Sequence, residues 1–235
     1  MSEHMALENL TVLDLTRVLA GPFCTMMLAD MGANVIKIEV PKGGDDTRSY
    51  PPFRAKNLNG ERESVYFANI NRNKKGITLN LKAPEGKEIF KELVKKADIV
   101  VENYRPGVMD KLGLGYDVLK EINPRIIYAA VSGFGCYGPY HLRPGYDILA
   151  QAMGGMMSIT GSKGGEPTRA GSALGDILGG LHVTIGILAA VNARTITGKG
   201  QRVDVSLMDS MIAATDRKST RLNSSHVKRS RMPSS

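Results

Sequence analysis

The sequence predicts an α/β fold, a mostly parallel sheet with helices on both faces. Two observations carry this. Short β-branched, apolar runs alternate with longer amphipathic or apolar runs along most of the chain, the pattern that successive βαβ units require. Glycine and proline also cluster at the junctions between these runs, where helices begin and end.

Taken in order, "LTVLDLT" (10–16) is β-branched and apolar and reads as the first strand. "AGPFCTMMLADMG" places a proline near a helix start and Gly32 at its end, and "NVIKIE" is the second strand, which completes a βαβ unit. The run from Val40 to Ser64 is rich in Gly, Pro and charge and reads as a long surface loop, a class of segment that is often functional. "GITLNL" follows as a strand, then "APEGKEIFKELVKKA" as an amphipathic helix with Ile89, Leu93 and Val94 on its apolar face, then "DIVVEN" as a strand. A single helix is expected over "PGVMDKLGLGYDVLKEI", a strand over "RIIYAAVSGF", helices over "GYDILAQAMGG" and "GDILGGLHVTIGILAAVNARTITG", and a last strand over "QRVDVSL". In such sheets ligands bind beyond the carboxyl ends of the strands.

Composition limits the function classes. The chain has 235 residues, 42% hydrophobic and 23% charged, enough for one sizeable core. Two cysteines, Cys24 and Cys136, make no disulfide framework, and the N-terminus lacks the basic-then-apolar layout of a signal peptide, so a cytoplasmic location is expected. No apolar run is expected to span a membrane, the nearest candidate being "ILGGLHVTIGILAAV", interrupted by His182. The net charge of +8 would suggest a polyanionic partner. Six of the 31 Lys and Arg lie in the tail 216–235, however, and "DRKSTRLNSSH" and "SRMPSS" within it match translated codons of a common short-read sequencing adapter. The alternative reading of that tail is a disordered basic arm. Without it the chain carries 25 basic against 22 acidic side chains, a balance of +3, and a nucleic-acid partner is not expected. The organisation expected is one unit over 1–215 and an artefactual or disordered tail over 216–235.

There is no G-x-G-x-x-G after the first strand and no P-loop, and the four histidines and two cysteines show no metal-ligand spacing. His182, on an apolar helix, reads as a packed core histidine. In "SALGDILGG" one acid, Asp176, interrupts a small and apolar run. An Asp after Gly at the head of such a run is what a helix N-cap looks like. A carboxylate beside Leu174, Ile177 and Leu178 is also poorly hydrated, which favours attack on an activated carbonyl. Both readings stand together.

Several stretches resemble the class III coenzyme A transferases of the CaiB/BaiF type. They are "LDLTRVLAGPFCTMMLADMGANVIKIE", "GDDTR", "NRNKKGITLNLKAPEGKEIFKEL", "ADIVVENYRPGVMDKLGLGYDVLKEINPRIIYAAVSGFG", "GYDILAQAMGG", "GSALGDILGG" and "GILAAVNARTITGKGQRVDVSLMDS". Together they cover nearly all of 7–215 in the family's order. The resemblance implies a Rossmann-like large domain, an interlocked homodimer, and transfer of CoA between an acyl-CoA donor and a small carboxylate acceptor. It implies no metal and no permanently bound cofactor, with coenzyme A entering as substrate.

By the same resemblance Asp176 is the nucleophile. Arg17, Val18, Leu19, Leu79, Lys82, Asn103, Tyr104, Arg105 and Lys111 are CoA contacts, and Tyr146, Asp147 and Gln151 lie near the substrate. The related α-methylacyl-CoA racemases have "GHD" where this chain has "GYD", and a tyrosine with a pKa near 10 replaces a histidine poorly as an acid/base near neutrality. A racemase-like isomerase and a non-catalytic CoA-binding protein are the alternatives.

Overall fold

The computed structural model describes residues 4–56, 60 and 62–215, so the tail reading lies outside the described residues. Six strands form one sheet: β1 (Thr11–Asp14), β2 (Asn34–Glu39), β3 (Lys75–Thr78), β4 (Ile99–Glu102), β5 (Ile127–Ser132) and β6 (Arg202–Ser206). Their order is β3-β2-β1-β4-β5-β6 and every pair is parallel. The chain therefore runs outward from β1 to β3, crosses back to β4 beside β1, and runs outward again. That reversal opens a crevice at the carboxyl ends of β1 and β4, where doubly wound sheets place their ligands.

The helices are α1 (Ala20–Asp30), α2 (Val65–Ile70), α3 (Pro84–Lys96), α4 (Val108–Lys111), α5 (Tyr116–Ile122), α6 (Asp147–Met153), α7 (Leu174–Thr197) and α8 (Leu207–Thr215). Successive strand residues point to opposite faces, so β1 sends Val12 to one core and Leu13 to the other. Val12 packs with Leu28 of α1, Val183 and Ile187 of α7 and Met211 of α8. Leu13 packs with Phe90 and Val94 of α3 and Leu119 of α5. Because both faces are covered, β4 and β5 read as continuous apolar runs instead of alternating ones.

Four expectations differ from the fold. The helix expected over 106–122 is two helices, because Gly113 takes a left-handed φ of +72° between α4 and α5 and a Cβ at Gly115 would collide with Asp110. On α3 the inward face is Gly86, Phe90 and Val94, while Ile89 is 52% exposed; Phe90 and Val94, four residues apart, define the stripe. His182 is exposed, its Nδ1 2.8 Å from the Leu178 carbonyl, so it is no core residue. Finally, α7 has 24 residues and is long and apolar enough to cross a membrane by length and composition, although the sequence suggested no such run. Here one face of α7 packs on α1, β5, β6 and α8, with Val183 and Ile187 fully buried, each contributing about 1.5–3 kcal/mol over an exposed side chain.

Candidate active site

The loop from β1 into α1 is built on buried charge. Asp14, the last residue of β1, has no exposed surface, and its Oδ1 accepts from the Thr16 N–H (2.9 Å) and hydroxyl (2.5 Å). Its Oδ2 accepts from the Thr25 hydroxyl (2.7 Å) and Lys74 Nζ (3.0 Å). Burial pushes this carboxyl up, but Lys74, Lys37 and the two threonine hydrogen bonds together hold it below the usual range. Above this base Val18 adopts φ +69°, a left-handed conformation that costs a β-branched residue about 1–3 kcal/mol.

The loop after β4 meets it. Asn103 accepts the Arg17 N–H at 3.0 Å and donates to the Arg17 carbonyl at 2.7 Å. Tyr104 donates its N–H to Glu102 Oε2 at 2.7 Å, which ties the same loop back to the end of β4. Burial pushes the Glu102 carboxyl up to about 7 despite hydrogen bonds from Tyr104 and Tyr128. Thus Arg17, Val18, Leu19, Asn103, Tyr104 and Arg105 come together at the switch point although 86 positions separate Arg17 from Asn103. Leu79, after β3, joins the apolar cluster that contains Tyr104. Lys82 and Arg105 are exposed on the loops after β3 and β4, and Lys111 is exposed at the end of α4. Apolar and aromatic side chains and exposed cations thus occur together on these loops, residue types suited to a phosphorylated nucleotide.

Asp176 occupies the first turn of α7. The N-cap position is Ala173, so the capping reading of Asp176 is corrected: it is the third residue of the helix, within its first turn. The open N–H is instead satisfied from α6, where Asp147 Oδ1 accepts from Gly175 N–H at 2.8 Å. Asp147 Oδ2 takes 2.8 Å from Gln151 Nε2, and Gln151, fully buried, also holds the Ser172 carbonyl (3.2 Å) and the Ala170 N–H (2.9 Å). Gln151 therefore acts on the site through the approach to α7, its amide engaged on both sides. Tyr146 is 70% exposed beside them. Burial first, and the neighbouring Asp147 charge second, push the Asp176 carboxyl up to about 7. No hydrogen bond from the described residues offsets this.

Two elements pack around the first turns of α7. Gly180, one turn on, lets α7 lie against the first turn of α1: a Cβ there would stand 2.7 Å from the Ala20 carbonyl oxygen. The short helix α2 then contributes Tyr66, whose hydroxyl is pushed up to about 12 by burial and by the fields of Asp176, Tyr50, Asp45 and Asp147. Tyr66 packs edge-on against Tyr50, ring centroids 5.8 Å apart. Sequence reading missed both tyrosines: α2, which carries Tyr66, is only six residues long, and Tyr50 lies in the loop before it. The available signal was Ser64 before "VYF", a side-chain N-cap that accepts the Phe67 N–H at 3.3 Å. Among the described residues no group of three or more His, Cys, Asp or Glu could hold a metal ion.

This constellation lies within a recognisable family pattern. The family model described as CoA-transferase family III matches residues 7–234. The chain is 51% identical over 215 residues to an acyl-CoA transferase of Fusarium pseudograminearum, covering 90% of this chain and 47% of that one. It is 48% identical over 218 residues to a succinyl-CoA:mesaconate CoA-transferase of Haloarcula marismortui, covering 90% and 54%. A crystal structure of a CAIB/BAIF family protein from Brucella suis superposes with a TM-score of 0.90 at 43% identity, covering 95% of this chain and 59% of that one. The chain thus spans about half the length of the curated relatives it matches. On the family model, the sheet order and the switch-point loops together, the chain belongs to CoA-transferase family III.

Proposed function

We propose that this chain is the acyl-CoA-binding and nucleophile-bearing portion of an acyl-CoA:carboxylate CoA-transferase. The observation that carries the reading is Asp176, a half-buried carboxylate without hydrogen bonds from the described residues, in the first turn of α7 beside Asp147 and Tyr66. Poor hydration makes a carboxylate oxygen a better nucleophile toward a thioester.

In the proposed mechanism an Asp176 oxygen attacks the donor thioester carbonyl and the C–S bond breaks, giving an aspartyl mixed anhydride and CoA thiolate. The thiolate attacks the aspartyl carbonyl, releases the donor acid and leaves an aspartyl-CoA thioester. The acceptor carboxylate then attacks that thioester, and the thiolate attacks the acyl carbonyl of the new anhydride, which restores Asp176. Each step exchanges one acyl bond for another of similar reactivity, and no redox change occurs. Tyr66 keeps its proton at neutral pH and offers an O–H donor near the reacting oxygens.

The proposal includes a cytoplasmic homodimer. Leu181, Ile185 and Ile196 of α7 are 37%, 63% and 82% exposed, an apolar surface that a second copy would cover. It also includes a boundary at Thr215, with 216–235 an adapter read. A second independent read of the gene that ends in the same tail would overturn that boundary.

The activity test uses the uninterrupted gene product. Isotope from a free carboxylate should appear in acyl-CoA, with no α-proton exchange from an α-methyl acyl-CoA in deuterated water. Rapid α-deuteration without CoA movement would favour the racemase reading.

A further inference from the structure

The motif "GDDTR" follows β2. Its Asp45 is buried, as is Lys37 of β2, and Lys37 Nζ lies 2.9 Å from Asp45 Oδ2. The same Nζ donates to the Thr16 carbonyl at 2.8 Å. Asp45 Oδ1 accepts the Val18 N–H at 3.3 Å and the Thr47 N–H and hydroxyl at 3.0 and 2.8 Å. The pair therefore grips the β1–α1 loop on both sides of Arg17, in the stretch where Val18 is held at φ +69°.

The rest of the motif fixes Asp45 itself. Its N–H donates to Glu39 Oε2 at 2.8 Å, and Glu39 is held by Arg48 through two bonds of 2.7 and 2.6 Å. Gly44 takes φ +63°, and a Cβ there would meet Glu39 Oε2 at 2.5 Å, displacing the carboxylate that holds Asp45. The neighbouring Asp46 pairs with Arg17 at 3.4 Å with both side chains at least half exposed, and exposed pairs of this kind contribute little. Asp45, not Asp46, is the effective anchor.

We infer that Asp45, aligned by Lys37, is the positioning residue that holds Val18 in its left-handed turn and so shapes the loop that receives acyl-CoA. This rests on the reading of 17–19 as part of the acyl-CoA site. With the acceptor gone, the valine relaxes toward extended backbone and the loop loses its binding shape. Glycine at 18 would not relax in this way, since it takes positive φ without steric cost.

The test titrates acetyl-CoA into the uninterrupted gene product by calorimetry and compares two double variants. Lys37→Met with Asp45→Asn, and Lys37→Met with Asp45→Ala, both remove the buried charges, so neither strands one; only the first keeps an acceptor for Val18. The Asn pair should bind within about threefold of the unaltered chain and the Ala pair about tenfold more weakly, the scale of one hydrogen bond to a strained turn. The Val18 amide should exchange faster with solvent in the Ala pair than in the Asn pair, a local difference that a general loss of stability would not give. Equal binding by the two pairs, or equal exchange at Val18, overturns the inference. Hydrogen exchange on the unaltered chain adds a reading that needs no variant: the Val18 amide should be protected, and free exchange there overturns the inference as well. If the unaltered chain binds no acetyl-CoA, the acyl-CoA reading itself is contradicted, and the inference with it.

Discussion

Asn103 clasps Arg17 across the switch point, accepting its N–H at 3.0 Å and donating to its carbonyl at 2.7 Å. Both contacts are solvent-exposed, so in Asn103→Ala water can replace them and stability should fall by only about 1 kcal/mol or less. Loop alignment has no such substitute. Acetyl-CoA affinity should therefore drop several-fold while the thermal midpoint barely moves, and a calorimetric titration beside a melting curve would show it.

The raised carboxyl of Asp176 has a cost that pH should reveal. Its pKa in the folded chain is about 7, above the usual aspartate value of 3.8, so between those values the folded state holds a proton that the unfolded state has released. Stability then falls as pH rises through that window and levels off above about 7. Asp176→Asn removes the titration, so the variant should melt a few degrees above the unaltered chain at pH 8 and match it near pH 4. Melting curves at the two pH values check this; a variant less stable at pH 8 would contradict it.

Asp147 enters twice, as acceptor for Gly175 N–H and as a charge beside Asp176. Asp147→Asn keeps an acceptor oxygen and removes the charge, so the Asp176 carboxyl should ionise at lower pH. Burial, the larger cause, remains, and the shift should be partial. The pH midpoint of acyl trapping at residue 176 should move to the acid side; an unchanged midpoint would show that the two carboxylates do not sense each other.

Gly180 permits the approach of α7 to α1. An added Cβ would stand 2.7 Å from the Ala20 carbonyl oxygen and 3.1 Å from Phe23 Cδ1, and backbone cannot swing aside as a side chain can. Gly180→Ala should destabilise by about 1–3 kcal/mol through overpacking, despite the better helix propensity of alanine. Urea unfolding measures the sign directly.

Much of this was legible in the sequence. The alternation of β-branched and helical runs placed all six strands and both faces of cover, and family motifs pointed to Asp176 and the loops around Arg17 and Asn103. Illegible parts were those that depend on contacts far along the chain. Lys37 and Asp45 look like surface charges in local sequence, and only the fold brings them together in the interior. Tyr66 lies on a helix too short for its period to register. Ile89 carried the apolar signal on α3, yet the buried face includes Gly86, where the Asn80 backbone comes so close that any side chain would collide with it.

The most direct test of the central claim is chemical trapping. The chain is incubated with acetyl-CoA, quenched with hydroxylamine and digested, and the peptide containing "SALGDILGG" is weighed. A hydroxamate mass change at Asp176 is predicted, with a yield that rises with pH through about 7 and that vanishes in Asp176→Asn. An unmodified Asp176 in a chain that binds acetyl-CoA would contradict the account, as would the same mass change in Asp176→Asn free of deamidation.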